Sequence, residues 1–342
     1  MHSHRLALTA AALFVAASAA HPQAPGYHIV HSYALGGTGS WDYLAFDPVG
    51  HRLFISRQDR IMVVDPATGA LIGVIPGIKG AHGVALANAS GHGFATSGND
   101  SLVVMFDNKT LKPLGRSHAA EDADGILFDP ASKRVFTMNG DANSSSVIDP
   151  ATGRNIGTVP LGGKPEFGVS AGDGKVYANL TDKGEVVEID ASAMKVIRRW
   201  PVAPCASSTG LSIDVAHHRL FTVCRNKYLA ISDYAAGKLV TTVPIGAGVD
   251  ASAFDPTTQL IFASNGDGTL TVVHEDTPDK YTVVETVPTG AGAKTMALDP
   301  STHRLYLGTA SFGPVDPNTA AGRRGRPPMI PGTFKLLVLD RK

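Results

Sequence analysis

Apolar and polar positions alternate along this chain in short runs broken by Gly, Pro, Asn and Asp, and no segment carries apolar residues at helical spacing. The unit is plainest in residues 250–276. Residues 251–254 form an apolar run that Asp255-Pro256 ends. Residues 260–264 are rich in β-branched and aromatic side chains, and 270–273 supply a third such run. Between them stands Asn265-Gly266-Asp267-Gly268, which is turn chemistry because Gly and Asn accept positive φ. The pattern predicts strand, turn, strand, turn, strand.

The same unit recurs along the chain. The aromatic residue of its second strand falls at Phe54, Phe94, Phe136, Tyr177, Phe221, Phe262 and Tyr306, spaced 40 to 44 residues apart. A near-constant period of that length with four short strands per copy predicts propeller blades. Seven residues before each aromatic the first turn returns as Asp47-Pro48, Asp129-Pro130, Asp214-Val215, Asp255-Pro256 and Asp299-Pro300. It is degenerate at Ala87-Asn88 and at Ser170-Ala171-Gly172-Asp173. Asp65-Pro66-Ala67-Thr68-Gly69 returns verbatim at 149–153 and predicts a hairpin into a fourth strand, such as 71–75 or 155–159. The seventh copy has a Pro- and Gly-rich insertion, 311–332, and ends without its own fourth strand. Residues 27–35 have no copy of their own. They are expected to supply that missing edge and close the ring, which removes open sheet edges.

The second strands Phe94-Ala-Thr-Ser97, Phe136-Thr-Met-Asn139, Tyr177-Ala-Asn-Leu180 and Phe262-Ala-Ser-Asn265 resemble the Tyr-Val-Thr-Asn repeat of the YVTN family of β-propellers. The resemblance spans about 27–340 and extends, blade for blade, to exported bacterial YncE-like proteins of the wider WD40/YVTN repeat-like superfamily. It departs at Ala87, at 170–173 and in the insertion. It implies an all-β, seven-bladed propeller of four-stranded antiparallel blades in the periplasm or outside the cell. It implies little chemistry: relatives include lactonase-type and quinoprotein-subunit-like propellers, surface-layer proteins and a branch linked to single-stranded DNA, and a fold does not confer a function.

The ends and the charge narrow the setting. Residues 1–20 carry a basic start (Arg5), an Ala-rich apolar stretch and small residues near Ala19 and Ala20, the pattern of a secretory signal. Residues 21–342 then read as one propeller domain with no membrane span, and as a monomer. Lys plus Arg number 30 and Asp plus Glu 30, which argues against nucleic acid as a partner. The only cysteines, Cys205 and Cys224, are expected to pair in an oxidising compartment.

The chemistry concentrates five residues before each turn Asp. The copies place Asp42, His82, Asp124, Thr209, Asp250 and Lys294 there, with Pro165 or Glu166 in the fourth. In a closed ring these positions converge on one channel mouth, where like charges raise some pKa values and Lys294 offsets them. The loops between second and third strands add Arg57, Arg225, Asn99, Asn139, Asn179, Asn226 and Asn265. The Asn residues read as turn formers, and Arg57 and Arg225 as partners of the carboxylates or clamps for an anionic ligand. Trp41 reads as blade packing or as a ligand platform. The insertion, with Phe312, Arg323, Arg324, Arg326, Pro327, Pro328 and Met329, reads as a partial lid or partner-binding arm. His274-Glu275-Asp276 reads as a solvated turn.

Three readings of the mouth stand side by side. One is binding of a small ligand or protein partner. Another is a divalent-cation site with Asp42, Asp124 and Asp250 as candidate ligands. The third is hydrolysis of a lactone or ester with a carboxylate or His82 as base, Asp42 and Asp250 being the other catalytic candidates. Ser207 and Ser208 lack a nucleophile-elbow context. No phosphate-binding Gly loop or haem motif is present.

Overall fold

The computed structural model describes residues 24–314 and 327–341. The expected secretory signal at 1–20 and Arg323, Arg324 and Arg326 of the insertion lie outside the described residues.

Seven four-stranded antiparallel sheets follow one another as blades. Blade 1 is Leu44–Asp47, Arg52–Arg57, Arg60–Val64 and Leu71–Pro76, in chain order from the inside outwards. The inner strand of each blade packs on the inner strands of its two neighbours, and blade 7 packs on blade 1, so the ring is closed. In blade 7 the strand His28–Ala34 lies antiparallel against Lys335–Asp340, outside Met296–Asp299 and Arg304–Thr309. Among the described residues no helix is long and apolar enough to cross a membrane.

The turn chemistry works as the side chains require. The carboxylate of each first-turn Asp accepts the N–H two or three residues on: Val49 to Asp47 (3.1 Å), Ser132 to Asp129 (2.7 Å), Ala216 to Asp214 (2.9 Å), Thr257 to Asp255 (3.0 Å) and Ser301 to Asp299 (2.9 Å). The two verbatim hairpins repeat to the atom. Asp65 and Asp149 each accept two following N–H groups, and Gly69 and Gly153 both sit at φ +70°, which a side chain would strain. The second-strand aromatics are the core. Phe54, Phe94, Phe136, Phe221 and Phe262 are wholly buried, and each apolar cluster spans two adjacent blades.

Two expectations need correction. Asn139, Asn179 and Asn265 are not turn formers; all three are buried at strand ends. Asn139 bonds Ser144 and Ser146 of the next strand, Asn265 bonds Thr269 and Thr271, and Asn179 reaches into blade 5 to donate to the Thr209 carbonyl (2.8 Å). In all three the amide N–H group donates; Asn139 also accepts the Thr137 hydroxyl (2.7 Å) and Asn179 the Phe167 N–H (2.9 Å). Nor is His274-Glu275-Asp276 a solvated turn. The third strand of blade 6 runs on through it, as Thr269–Thr277, and Glu275 is fully buried.

Candidate functional site

The positions five residues before the first-turn Asp converge on one end of the channel, in two halves. Over blades 1 to 3, His82 Nδ1 lies 2.7 Å from Asp42 Oδ2 and 3.4 Å from Asp124 Oδ1. Over blades 4 to 7, Lys294 donates to Asp250, while Arg225 Nη2 stands 3.5 Å from Asp250 and 3.6 Å from Glu166. Asp250 therefore belongs with Lys294 and Arg225, and the carboxylates Asp42, Asp124 and Asp250 do not form one ligand set. The His-containing trio Asp42, His82 and Asp124 is the group whose ligand atoms cluster here. Thr209 is buried and donates to the carbonyls of Val249 and Val223, so it holds strands together and does not face a ligand.

Electrostatics join the halves. Burial alone would lower the His82 pKa, but the Asp42 hydrogen bond and the charges of Asp124 and Asp42 outweigh it and raise the value to about 9. The raised value favours the imidazolium form of His82 at neutral pH, a hydrogen-bond donor between the two carboxylates. Burial, then the neighbouring charge of Asp250, raises Glu166 to about 7. Asp124 is pushed well above the ordinary carboxylate range, chiefly by burial.

Two residues that sequence spacing passed over shape the mouth. The residues following the ring positions are Tyr43, Gly83, Gly125, Phe167, Gly210, Ala251 and Thr295. Only blades 1 and 4 carry rings there, and Tyr43 and Phe167 meet with centroids 4.9 Å apart. Those blades are not neighbours, so the contact spans the channel and makes the mouth a cup. Elsewhere the chain needs small residues: a Cβ on Gly125 would meet the Glu166 carbonyl at 2.6 Å, and one on Gly210 the Ala251 Cα at 2.7 Å. Burial, and then Asp124, Asp250, Glu166 and Asp42, hold the Tyr43 hydroxyl protonated well above its usual range. The signal was a large side chain at a position of small ones.

Arg57 is a correction. It is wholly buried, donates to the carbonyls of Gly36, Thr38, Gly39 and Ser40, and stacks 4.0 Å from the Phe334 ring centroid. An always-charged planar group with five donors suits a loop of unpaired carbonyls, and none of those donors goes to a mouth carboxylate. Trp41 packs as one of its two expected readings has it, and it also faces a cavity. It packs on Phe334 and Phe312 and lines a cavity of about 690 Å³. That cavity lies over blades 5, 6, 7 and 1. Its lining includes the apolar Trp41, Phe312, Pro327 and Met329 and the charged Arg225, Lys294, Asp250 and Asp267. Phe312 and Met329 pair as an isolated bridge, so the two feet of the insertion form one wall of the cavity.

Cys205 and Cys224 are bonded, with Cα atoms 5.5 Å apart. Asn226 clamps the same loop, donating to the Pro204 carbonyl (2.7 Å) and accepting from Ala206 N–H (3.0 Å). Replacing both cysteines by Ser is expected to cost about 2–3 kcal/mol, the range for a loop this short. Urea unfolding of the variant beside the wild type checks it; an unchanged midpoint would show that Asn226 alone holds the loop.

Comparison with solved structures places the fold. A chain of the Kuenenia stuttgartiensis hydrazine synthase matches with TM-score 0.70 and 17% identity over 86% of this chain and 95% of that one. The RRP9 WD40 repeats match with TM-score 0.75 and 13% identity, over 93% and 99%. U3-55K matches with TM-score 0.73 and 12% identity, over 93% and 99%. At such identities the likeness is one of fold, a β-propeller with WD40-like neighbours. No protein-family model and no curated protein matches the chain.

Proposed function

We propose that the chain is an exported, monomeric propeller of YVTN, YncE-like type that binds a small molecule with an apolar body and a charged or strongly polar head at its channel mouth. The carrying observation is the cavity of about 690 Å³, lined by the apolar Trp41, Phe312 and Met329 together with the charged Arg225, Lys294, Asp250 and Asp267. Its size is that of a small-molecule site, and such sites pair apolar walls with a few placed polar groups. Export to the periplasm or beyond is supported by the signal-like residues 1–20 and by the disulfide.

A second reading, hydrolysis of a lactone or ester, draws on Glu166. A carboxyl with a pKa near 7 is poised as an acid–base group, and protonated His82 and Tyr43 are donors able to polarise a carbonyl.

Calorimetric titration with a panel of aromatic and acyl carboxylates and amino acids tests binding, and the same protein on lactones and esters tests turnover. Lys294→Met and Trp41→Ala are each expected to weaken a bound compound about tenfold or more. Glu166→Gln is expected to abolish any turnover while leaving binding. Binding that ignores both Lys294→Met and Trp41→Ala would place the ligand elsewhere. Absence of turnover across the ester panel would remove the hydrolase reading.

A further inference from the structure

On the face opposite the mouth, Asp214, His217 and Glu275 bring their ligand atoms within 4.8 Å of one another. His217 Nδ1 lies 2.6 Å from Asp214 Oδ2 and 3.6 Å from Glu275 Oε1. Asp214 is nearly and Glu275 fully buried, while His217 is about one-third exposed. Glu275 Oε1 accepts from the Tyr281 hydroxyl (3.1 Å), but its other oxygen, Oε2, is buried with no hydrogen-bond partner.

The repeat shows that the scaffold does not ask for this carboxylate. Backbone N–H groups at equivalent positions make the same turn bond: Asn108 to Gly91, Ala191 to Gly174, Tyr234 to His218, and Glu275 to Gln259, all at 2.9–3.0 Å. Blades 2, 4 and 5 fill that position with Asn, Ala and Tyr; only blade 6 buries an acid there. Of the other first-turn Asp residues, Asp47 and Asp299 take side-chain donors from their own blade (Arg52; Ser301 and Thr302), and two receive one from the next blade. Asp129 takes the Ser170 hydroxyl (2.6 Å), and Asp255 takes His303 Nδ1 (2.7 Å). What blade 6 presents to Asp214 is a second carboxyl. The nearby Arg219 does not answer it, being engaged by Asp279 (2.9 Å), the Pro278 carbonyl (2.7 Å) and, at 3.4 Å, Asp233.

We propose that Asp214, His217 and Glu275 form a divalent-cation site that clips blade 5 to blade 6, taking a first-row transition ion such as Zn²⁺. Two carboxylates and an imidazole nitrogen suit such an ion better than Ca²⁺ or Mg²⁺, which prefer all-oxygen sets. His217 would ligate through the Nδ1 lone pair, and with its side chain about one-third exposed, water can reach the cluster as a further ligand.

The test is calorimetric titration of the full chain with Zn²⁺ at pH 7.5, in wild type, Glu275→Gln, His217→Ala and Asp42→Asn. Wild type and Asp42→Asn, the latter disabling the mouth trio, are expected to bind an ion that Glu275→Gln and His217→Ala bind at least about 100-fold more weakly. Saturating Zn²⁺ should raise the melting temperature by about 5 °C in the first two proteins only. Glu275→Gln keeps the size and offers Asp214 an amide donor, so its metal-free fold should match or exceed wild type, as circular dichroism will show. Co²⁺ added to wild type should give the stronger d–d absorption of a four- or five-coordinate site. No Zn²⁺ binding in wild type, a Co²⁺ spectrum equal to that of the aqueous ion, or binding that survives both Glu275→Gln and His217→Ala would each overturn the proposal.

Discussion

Phe262→Ala is expected to destabilise the chain by about 3–5 kcal/mol, the range for deleting a wholly buried ring. Phe262 has no exposed surface and meets Tyr27 edge-on, with centroids 5.2 Å apart. It shares a core with Leu305, Leu307 and Leu339 of blade 7, so the cavity would open at the seam between blades 6 and 7. Leu71→Ala on the outer strand of blade 1 is the control. That side chain is 59% exposed, and its loss should move stability by no more than about 0.5 kcal/mol. Denaturant midpoints at matched slopes report both. Equal losses at the two sites would mean that the second-strand aromatics are not the inter-blade core.

His82→Ala is expected to lower stability by about 2–3 kcal/mol at pH 6, with the deficit fading as pH rises through about 9. The sign follows from linkage. The folded-state pKa of His82 is raised from 6.5 to about 9, so its contribution is complete below the unfolded value and is lost as pH rises through the folded one. Its side chain is 25% exposed, and solvent screening keeps the figure at or below what the shift alone would give. Removing the imidazolium leaves Asp42 and Asp124 facing each other without a cation. Unfolding of wild type and variant from pH 5 to 10, with an NMR titration of the His82 ring, measures it. A midpoint near 6.5 for that ring, or a deficit that does not change with pH, would show that His82 is not held between the two carboxylates.

The blades were legible because their cues are local. Alternation by two and Asp-Pro or Asp-x-x-Thr-Gly turn chemistry each act within a few residues, and the strands found at Ala251–Asp255 and Leu260–Asn265 begin where the pattern places them. The ring of Asp42, His82, Asp124, Glu166, Asp250 and Lys294 was legible as well, since equal offsets in equal repeats must share a height on the axis. What spacing could not weigh was competition for the same group. Arg57 and Arg225 hold comparable loop positions, yet one is spent on four carbonyls of the segment before blade 1 and the other reaches Glu166 and Asp250. Glu275 read as solvated because a charged triplet at a strand end usually is. Its burial comes from a hairpin lengthened to Lys280–Pro288 and from a blade 5 turn about sixty residues earlier.

The amino-acid order by itself determined the all-strand class, the number of blades and which residues stand at each end of the channel, because those follow from repeat length and short-range turn preferences. The folded arrangement alone decided who meets whom. It paired His82 with Asp42 and Asp124, set Arg225 between Glu166 and Asp250, brought Tyr43 against Phe167 across the channel, and put Glu275 beside Asp214. Each of those contacts joins different blades, and its distance depends on how the sheets rotate and pack about the axis, which no local pattern encodes.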